Sequence, residues 1–147
     1  LKNVTVHEQA LSNKTGTAKM VMPVVRSVKM HGLSHVKHES ICDYNEGMEF
    51  EVETITMDEL LANRTKKVSA IKMDVENFEN FVLDGGQKTL AEDKPVVYTE
   101  LWENENRTRC FLLMRDLGYL CKVVHNGQLE NYDPKRHTTQ TFIFIAQ

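Results

Sequence analysis

The feature that most constrains this chain is the order of its apolar runs between residues 68 and 146. Val68 to Val75 is compact, β-rich and mostly apolar, as expected for a strand buried on both faces. Glu76 to Leu83 then places Phe78, Phe81 and Val82 at i, i+3 and i+4, one helical face. Gly85-Gly86 interrupts that period as a C-cap, followed by one more turn through Leu90. Pro95 opens a second apolar strand, Val96 to Trp102. Asn104 to Leu117 reads as a helix that buries Phe111, Met114 and Leu117, with Gly118 as its stop. Tyr119 to His125 and Thr139 to Ala146 are two final strands, joined through Asn126-Gly127 and a polar loop. Strands alternating with helices imply an α/β fold of βαβ units, with a parallel sheet and right-handed crossovers. The last two strands have no helix between them, so they can pair antiparallel.

The region upstream is less regular. Asn3 to Ala10 alternates Val4 and Val6 with polar residues and reads as a strand. Ser12 to Gly16 is a turn cluster, and Thr17 to Met22 is an extended run ending at Pro23, so the pair reads as a hairpin. Val24 to Gly47 has no clear period and reads as a long loop holding His31, His35 and His38. Met48 to Thr56 reads as a strand. Thr56-Met57-Asp58-Glu59 fits a capping box that opens a short helix through Leu60, Leu61 and Ala62.

Composition narrows the function classes. No apolar run approaches the roughly 20 residues of a membrane span. The chain does not open on a basic segment followed by an apolar one, so no secretory signal is read. The net charge is -3 with both signs interspersed, which argues against a nucleic-acid or anionic-membrane surface. Cys42, Cys110 and Cys121 show no CxxC spacing and read as free thiols of a reducing, cytoplasmic compartment. Asn-x-Thr sequons begin at Asn3, Asn13, Asn63 and Asn106 and read as chance in an Asn/Thr-rich chain.

In open α/β sheets, ligands bind beyond the carboxyl ends of the strands. The first apolar strand delivers Asp74 to such an end, with Glu76 two residues later. The next parallel strand delivers Glu100 and then Trp102 to the same edge. Carboxylates there can orient a cationic ligand or accept a proton from a hydroxyl. Alternatively, Asp74 caps the following helix and Glu76 favours its N-terminal dipole. A divalent-metal hydrolase built on Asp74 and Glu76 is a weaker option. His31, His35 and His38, with Cys42 or Asp43, would make a metal set only on a helix. Gly32 and the weak period argue against one, and no CxxC or HExxH pattern supports it, so no metal is expected. The glycines form no GxGxxG and no Walker pattern. Met20, Met22 and Met30 read as packing residues.

At Ile71-Lys72-Met73-Asp74-Val75-Glu76 the residues become specific. This segment resembles the strand-four motif I-K-I-D-V-E-G of FkbM-like methyltransferases, with Phe78-Glu79 as its continuation. Val82-Leu83-Asp84-Gly85-Gly86 resembles the family's V-L-x-G segment. Lys94-Pro95 with Glu100-Leu101-Trp102 resembles its P-x-x-x-x-E-L strand, and Ile55 to Leu61 its T-L-D-D-L-L signature. Asn3 to Val6, then Ala10-Leu11-Ser12 and Gly16, are similar to the third strand and hairpin. Leu117-Gly118-Tyr119 is similar to the L-G-Y before strand six. Six motifs run in collinear order over nearly the whole chain. One departure is Asn77, where the family usually has Gly; Asn is the non-glycine residue best suited to a positive φ.

The resemblance implies a Rossmann-like class I methyltransferase sheet, N-terminally truncated, as a single partial domain over residues 1–147. The family's first two strands, with the Gly-rich loop and the acid that hold the methyl donor, have no counterpart here. Leu1 therefore reads as a cut through a domain, and the strand ending at Asp74 has an open edge that a homodimer could cover. The implied activity is methyl transfer from S-adenosylmethionine to a hydroxyl of a sugar or secondary metabolite, with this chain alone expected to be inactive. By carry-over, Asp74 sits beside the methionine end of the cofactor and the acceptor. Glu76 orients the acceptor or takes its proton, Ala10 and Leu11 lie near the adenine, and Glu100 faces the substrate. The alternative is a non-enzymatic dimerising α/β module derived from that fold.

Overall fold

A computed structural model describes residues 2–41 and 44–147. Among the described residues it contains two sheets and four α-helices. The first half forms β1 (Ala10–Ser12), β2 (Gly16–Val25), β3 (Val28–Lys29), β4 (His35–Val36) and β5 (Gly47–Thr56). The second half runs α1 (Met57–Leu60), β6 (Ala70–Met73), α2 (Glu79–Asp84), α3 (Gln87–Asp93), β7 (Val96–Glu100), α4 (Glu105–Asp116), β8 (Tyr119–His125), β9 (Gln128–Asn131) and β10 (Thr141–Ala146).

The second sheet has the order β6-β7-β10-β8-β9. β6 and β7 pair parallel, with Ala70 opposite Val96 and Met73 opposite Thr99. β10 inserts antiparallel between β7 and β8, so the final strands do pair antiparallel. β9 is an addition to the expected strands. Asn126 and Gly127 turn with φ 51° and 76°, the left-handed pair that a tight hairpin requires, and this folds β9 back on β8. Helices α2, α3 and α4 cover one face. Val97, Thr99, Phe142, Phe144, Val123 and Met73 point into it and join Leu83, Leu90 and Met114 in the core.

The expectation that residues 68–75 form a strand buried on both faces is corrected. Ala70 and Lys72 are exposed, as are Val96 and Tyr98 beside them on β7. β6 has a partner on one side among the described residues, and helices cover one face of its sheet. The first helix begins later than its apolar period suggests. Glu76 and Asn77 are left-handed, with φ 53° and 71°, so α2 starts at Glu79. Gly85 does close α2, but with φ −74°. It is needed for close approach, because a Cβ there would lie 2.1 Å from the Ser12 carbonyl oxygen. Gly118, with φ 79°, ends α4 as expected.

The first sheet departs further from expectation. Residues 3–9 form no strand, and Val4 and Val6 are exposed. β1 and β2 do not pair as a hairpin; β5 lies between them, parallel to β1 and antiparallel to β2. β2 continues through Pro23 to Val25, where Pro23 sits opposite Gly47 at the end of the β5 ladder. The long loop after Val24 is interrupted by β3, a 3-10 turn at His31–Leu33 and β4. Arg26 and Ser27, with φ 47° and 65°, make the β2–β3 turn. The capping box is half formed. Thr56 Oγ1 accepts from the Glu59 N–H at 3.1 Å, but the Glu59 carboxylate accepts instead from the Thr15 hydroxyl.

Candidate functional site

The parallel pairing of β6 and β7 brings the carboxyl ends of both strands to one edge. Beyond that edge lies an open cavity of about 610 Å³ lined by Glu76, Glu100 and Trp102, together with Leu33, Tyr44 and Gln140. That volume is within the range of small-molecule sites. The rings of Tyr44 and Trp102 stand nearly perpendicular, with centroids 6.2 Å apart. Two carboxylates and two aromatic faces suit a ligand carrying hydroxyl donors on an apolar frame.

Backbone and cationic contacts set the β7 side of the cavity. The Leu101 N–H donates to the Gln140 carbonyl at 2.7 Å. Arg107, nearly buried, donates through Nε to the Trp102 carbonyl at 3.2 Å and through Nη1 to the Thr139 carbonyl at 3.4 Å. Its guanidinium also lies over the Phe142 ring, 5.5 Å from the centroid. Nothing in the local sequence marks Arg107 out; its i,i+4 partner Glu103 is exposed and suggests only a surface pair.

On the β6 side the carboxylates differ. Partial burial raises the pKa of Glu76 from its ordinary value, and the negative charges of Asp74 and Glu100 add to it, while His35 opposes. Asp74 does not line the cavity. Its carboxylate accepts from Lys72 Nζ at 2.7 Å in an exposed pair, so it neither caps α2 nor stands free. Sequence reasoning also passed over Glu79. Its carboxylate is 3% exposed and accepts from the Val75 N–H at 3.1 Å. Burial pushes its pKa up to about 7, against the pull of the Glu79, Val75 and Asn77 N–H groups.

Ala10 and Leu11 lie elsewhere. Both pack against the core, and Ala10 lines a second cavity of about 820 Å³ with residues 6–9 and part of β5. That cavity is distinct from the one lined by Glu76 and Glu100.

The histidines serve packing and loop structure. His35 Nδ1 bonds the Leu33 carbonyl at 2.9 Å, and its Nε2 is 3.2 Å from Asn45 Oδ1. The His38 ring packs tilted against Phe81, with centroids 4.4 Å apart, and accepts from the Ser40 N–H at 3.1 Å. Among the described residues no group of three His, Cys, Asp or Glu side chains converges on a metal position. Cys42 and Asp43 lie outside the described residues. No helix among the described residues is long and apolar enough to cross a membrane.

With this geometry in view, the likeness to known proteins is informative. No curated protein matches the chain. A solved structure, a methyltransferase FkbM from Methylobacillus flagellatus KT, is similar over 98% of this chain, with TM-score 0.50 and 14% identity. The chain spans 28% of that protein's length, so the likeness speaks for the fold of this portion. Residues 2–121 match the Methyltransferase FkbM domain, and the chain belongs to that family.

Proposed function

We propose that the chain forms the acceptor side of an S-adenosylmethionine-dependent O-methyltransferase acting on a hydroxyl of a saccharide or related polyol. The observation that carries this reading is the convergence of Glu76 and Glu100 on one aromatic-walled cavity at the ends of adjacent parallel strands. Family membership supports methyl transfer, and the antiparallel β10 between β7 and β8 supports the Rossmann-like class I arrangement. Free Cys110 and Cys121, with burial pushing both thiol pKa values up, fit a reducing cytoplasmic setting.

In this reading Glu76 takes the proton of the acceptor hydroxyl. Its raised pKa brings it closer to a general base working near neutrality. Glu100 orients a neighbouring hydroxyl, and Trp102 and Tyr44 stack on the apolar face of the acceptor. Asp74 stands toward the donor, with Ala10 and Leu11 on the adenine side.

Calorimetry with S-adenosylhomocysteine is expected to show weak or no binding by these 147 residues; micromolar binding would overturn the view that the donor site is incomplete. In the polypeptide that performs transfer, Glu76→Gln is expected to lower kcat by about 10²–10⁴ with little change in KM. Asp74→Ala is expected to abolish transfer without unfolding the chain. An unchanged rate in either variant sinks the role assigned to it.

One observation favours the second reading, a dimerising α/β module. The helix-free face of the second sheet exposes Val96, Tyr98, Leu120, Val124 and Leu129, and β6 has a free edge among the described residues. A stable dimer in light scattering, with no methyl transfer to any polyol, would favour that reading over the first.

A further inference from the structure

The loop that carries Glu76 has a shape its own residues resist. Glu76 and Asn77 are both left-handed, which for non-glycine residues costs on the order of 1 kcal/mol each. Contacts from outside the loop must therefore hold it. They come from the start of α4, which follows directly on the β7 end that carries Glu100 and Trp102.

Asn104 faces both ways. Its Oδ1 accepts from the Asn106 N–H at 2.9 Å and the Arg107 N–H at 3.3 Å, capping α4. Its Nδ2 donates to Asn77 Oδ1 at 2.8 Å. Asn106 Nδ2 donates to the Asn77 main-chain carbonyl at 3.1 Å and also reaches Asn77 Oδ1 at 3.3 Å and Ser40 Oγ at 3.4 Å. Asn77 and Asn106 are almost wholly buried, so these bonds form away from competing water. A glycine at position 77 would satisfy the backbone and offer no side-chain acceptor. The asparagine satisfies both needs.

We propose that Asn77, Asn104 and Asn106 form a clamp that fuses the β6–α2 and β7–α4 loops into one rigid unit, presenting Glu76 and Glu100 to the same cavity as a preset pair. All three are positioning residues. Only the use made of the pair rests on the proposed function; the clamp concerns two loops and their shared side-chain bonds.

The test uses Asn77→Gly, which keeps the left-handed turn and removes the acceptor. It also uses Asn104→Asp, which keeps the α4 cap and removes the donor. Trp102 is the chain's one tryptophan, so its fluorescence reports on the β7 side of the clamp. Both variants are expected to raise amide exchange in residues 74–78 and in residues 101–104 by about tenfold, as expected for one or two lost hydrogen bonds, with β7 and β10 unchanged. Acrylamide quenching of Trp102 is expected to rise in parallel. The double variant is expected to exchange no faster than Asn77→Gly alone, because that change already removes the bond Asn104 makes to Asn77. The proposal is overturned if Asn77→Gly loosens residues 74–78 while Trp102 and residues 101–104 stay as in the native chain, or if the two changes add. None of these readouts involves methyl transfer, so a failure of the proposed chemistry would register separately.

Discussion

The two sheets are stabilised in different ways. The second, β6-β7-β10-β8-β9, is packed beneath its own helices, and almost all of the contiguous core belongs to it and to α1–α4. The first, β1-β5-β2-β3, is dominated by a ten-residue ribbon of β2 and β5. It contributes little to that core, and Val21, fully buried, stands outside the cluster. β5 exposes Met48 and Phe50 on a strand that also carries Glu49, Glu51 and Glu53. The ribbon is docked at a few points, notably where Gly85 of the α2 end meets the Ser12 carbonyl. A helix-covered sheet makes its own core from neighbouring segments; a two-stranded ribbon depends on its ladder and on whatever it leans against.

The largest effect expected from this contrast is in the second sheet. Phe142→Ala empties a fully buried position and should cost about 3–5 kcal/mol, read as a shift in urea midpoint. A loss below about 1 kcal/mol would show that the core is not where the packing places it.

Next comes Glu79, whose buried carboxyl has its pKa pushed up to about 7. A carboxyl whose folded pKa lies above its unfolded value stabilises the fold while protonated. That contribution is complete below the ordinary value of 4.5 and is lost as pH rises through about 7. Glu79→Gln keeps an acceptor for the Val75 N–H and removes the titration. Relative to the native chain it should therefore gain on the order of 3 kcal/mol between roughly pH 4 and pH 8. A stability difference that stays flat over that range would mean that water reaches the group.

Gly85→Ala tests the docking of the ribbon. Its Cβ would collide with main chain rather than with a movable side chain, so about 1–3 kcal/mol should be lost. Amide exchange should rise in β1 before it does in β7. Equal loosening of both sheets would break the distinction between them. The smallest effect is expected at the exposed ribbon face. Phe50→Ala should change stability by less than about 0.5 kcal/mol, and a larger loss would reveal that something covers that face.

What could be read in advance follows the same division. In the second half, most strands and helices carry a local pattern: Val82 on α2, Met114 on α4, Gly118 as its stop. Pairing there is not all local, because β7 pairs with β10 across α4, β8 and β9, with Glu100 opposite Thr141. In the first half, β1 pairs with β5 rather than with its neighbour β2, across more than 40 residues of chain, as Ala10 opposite Thr54 shows. No local period encodes that choice. The alternation of Val4 and Val6 looks like a strand but finds no partner. For the candidate site, the strand-end rule was sufficient to place Glu76, Glu100 and Trp102 together. It could not show that Asp74 turns to Lys72, since that depends on which face β6 leaves uncovered.

The sequence by itself determined the family, most of the run of strands and helices from residue 68 onward, and which acids reach the strand ends. Periodicity and spacing are properties of neighbouring residues, and these features need nothing more. The tertiary structure alone decided that Glu79 is buried, that Arg107 holds the Trp102 carbonyl, and that Asn77 is joined to Asn104 and Asn106. Each joins residues brought together by packing, and their hydrogen-bond strength and pKa depend on how much water that packing excludes.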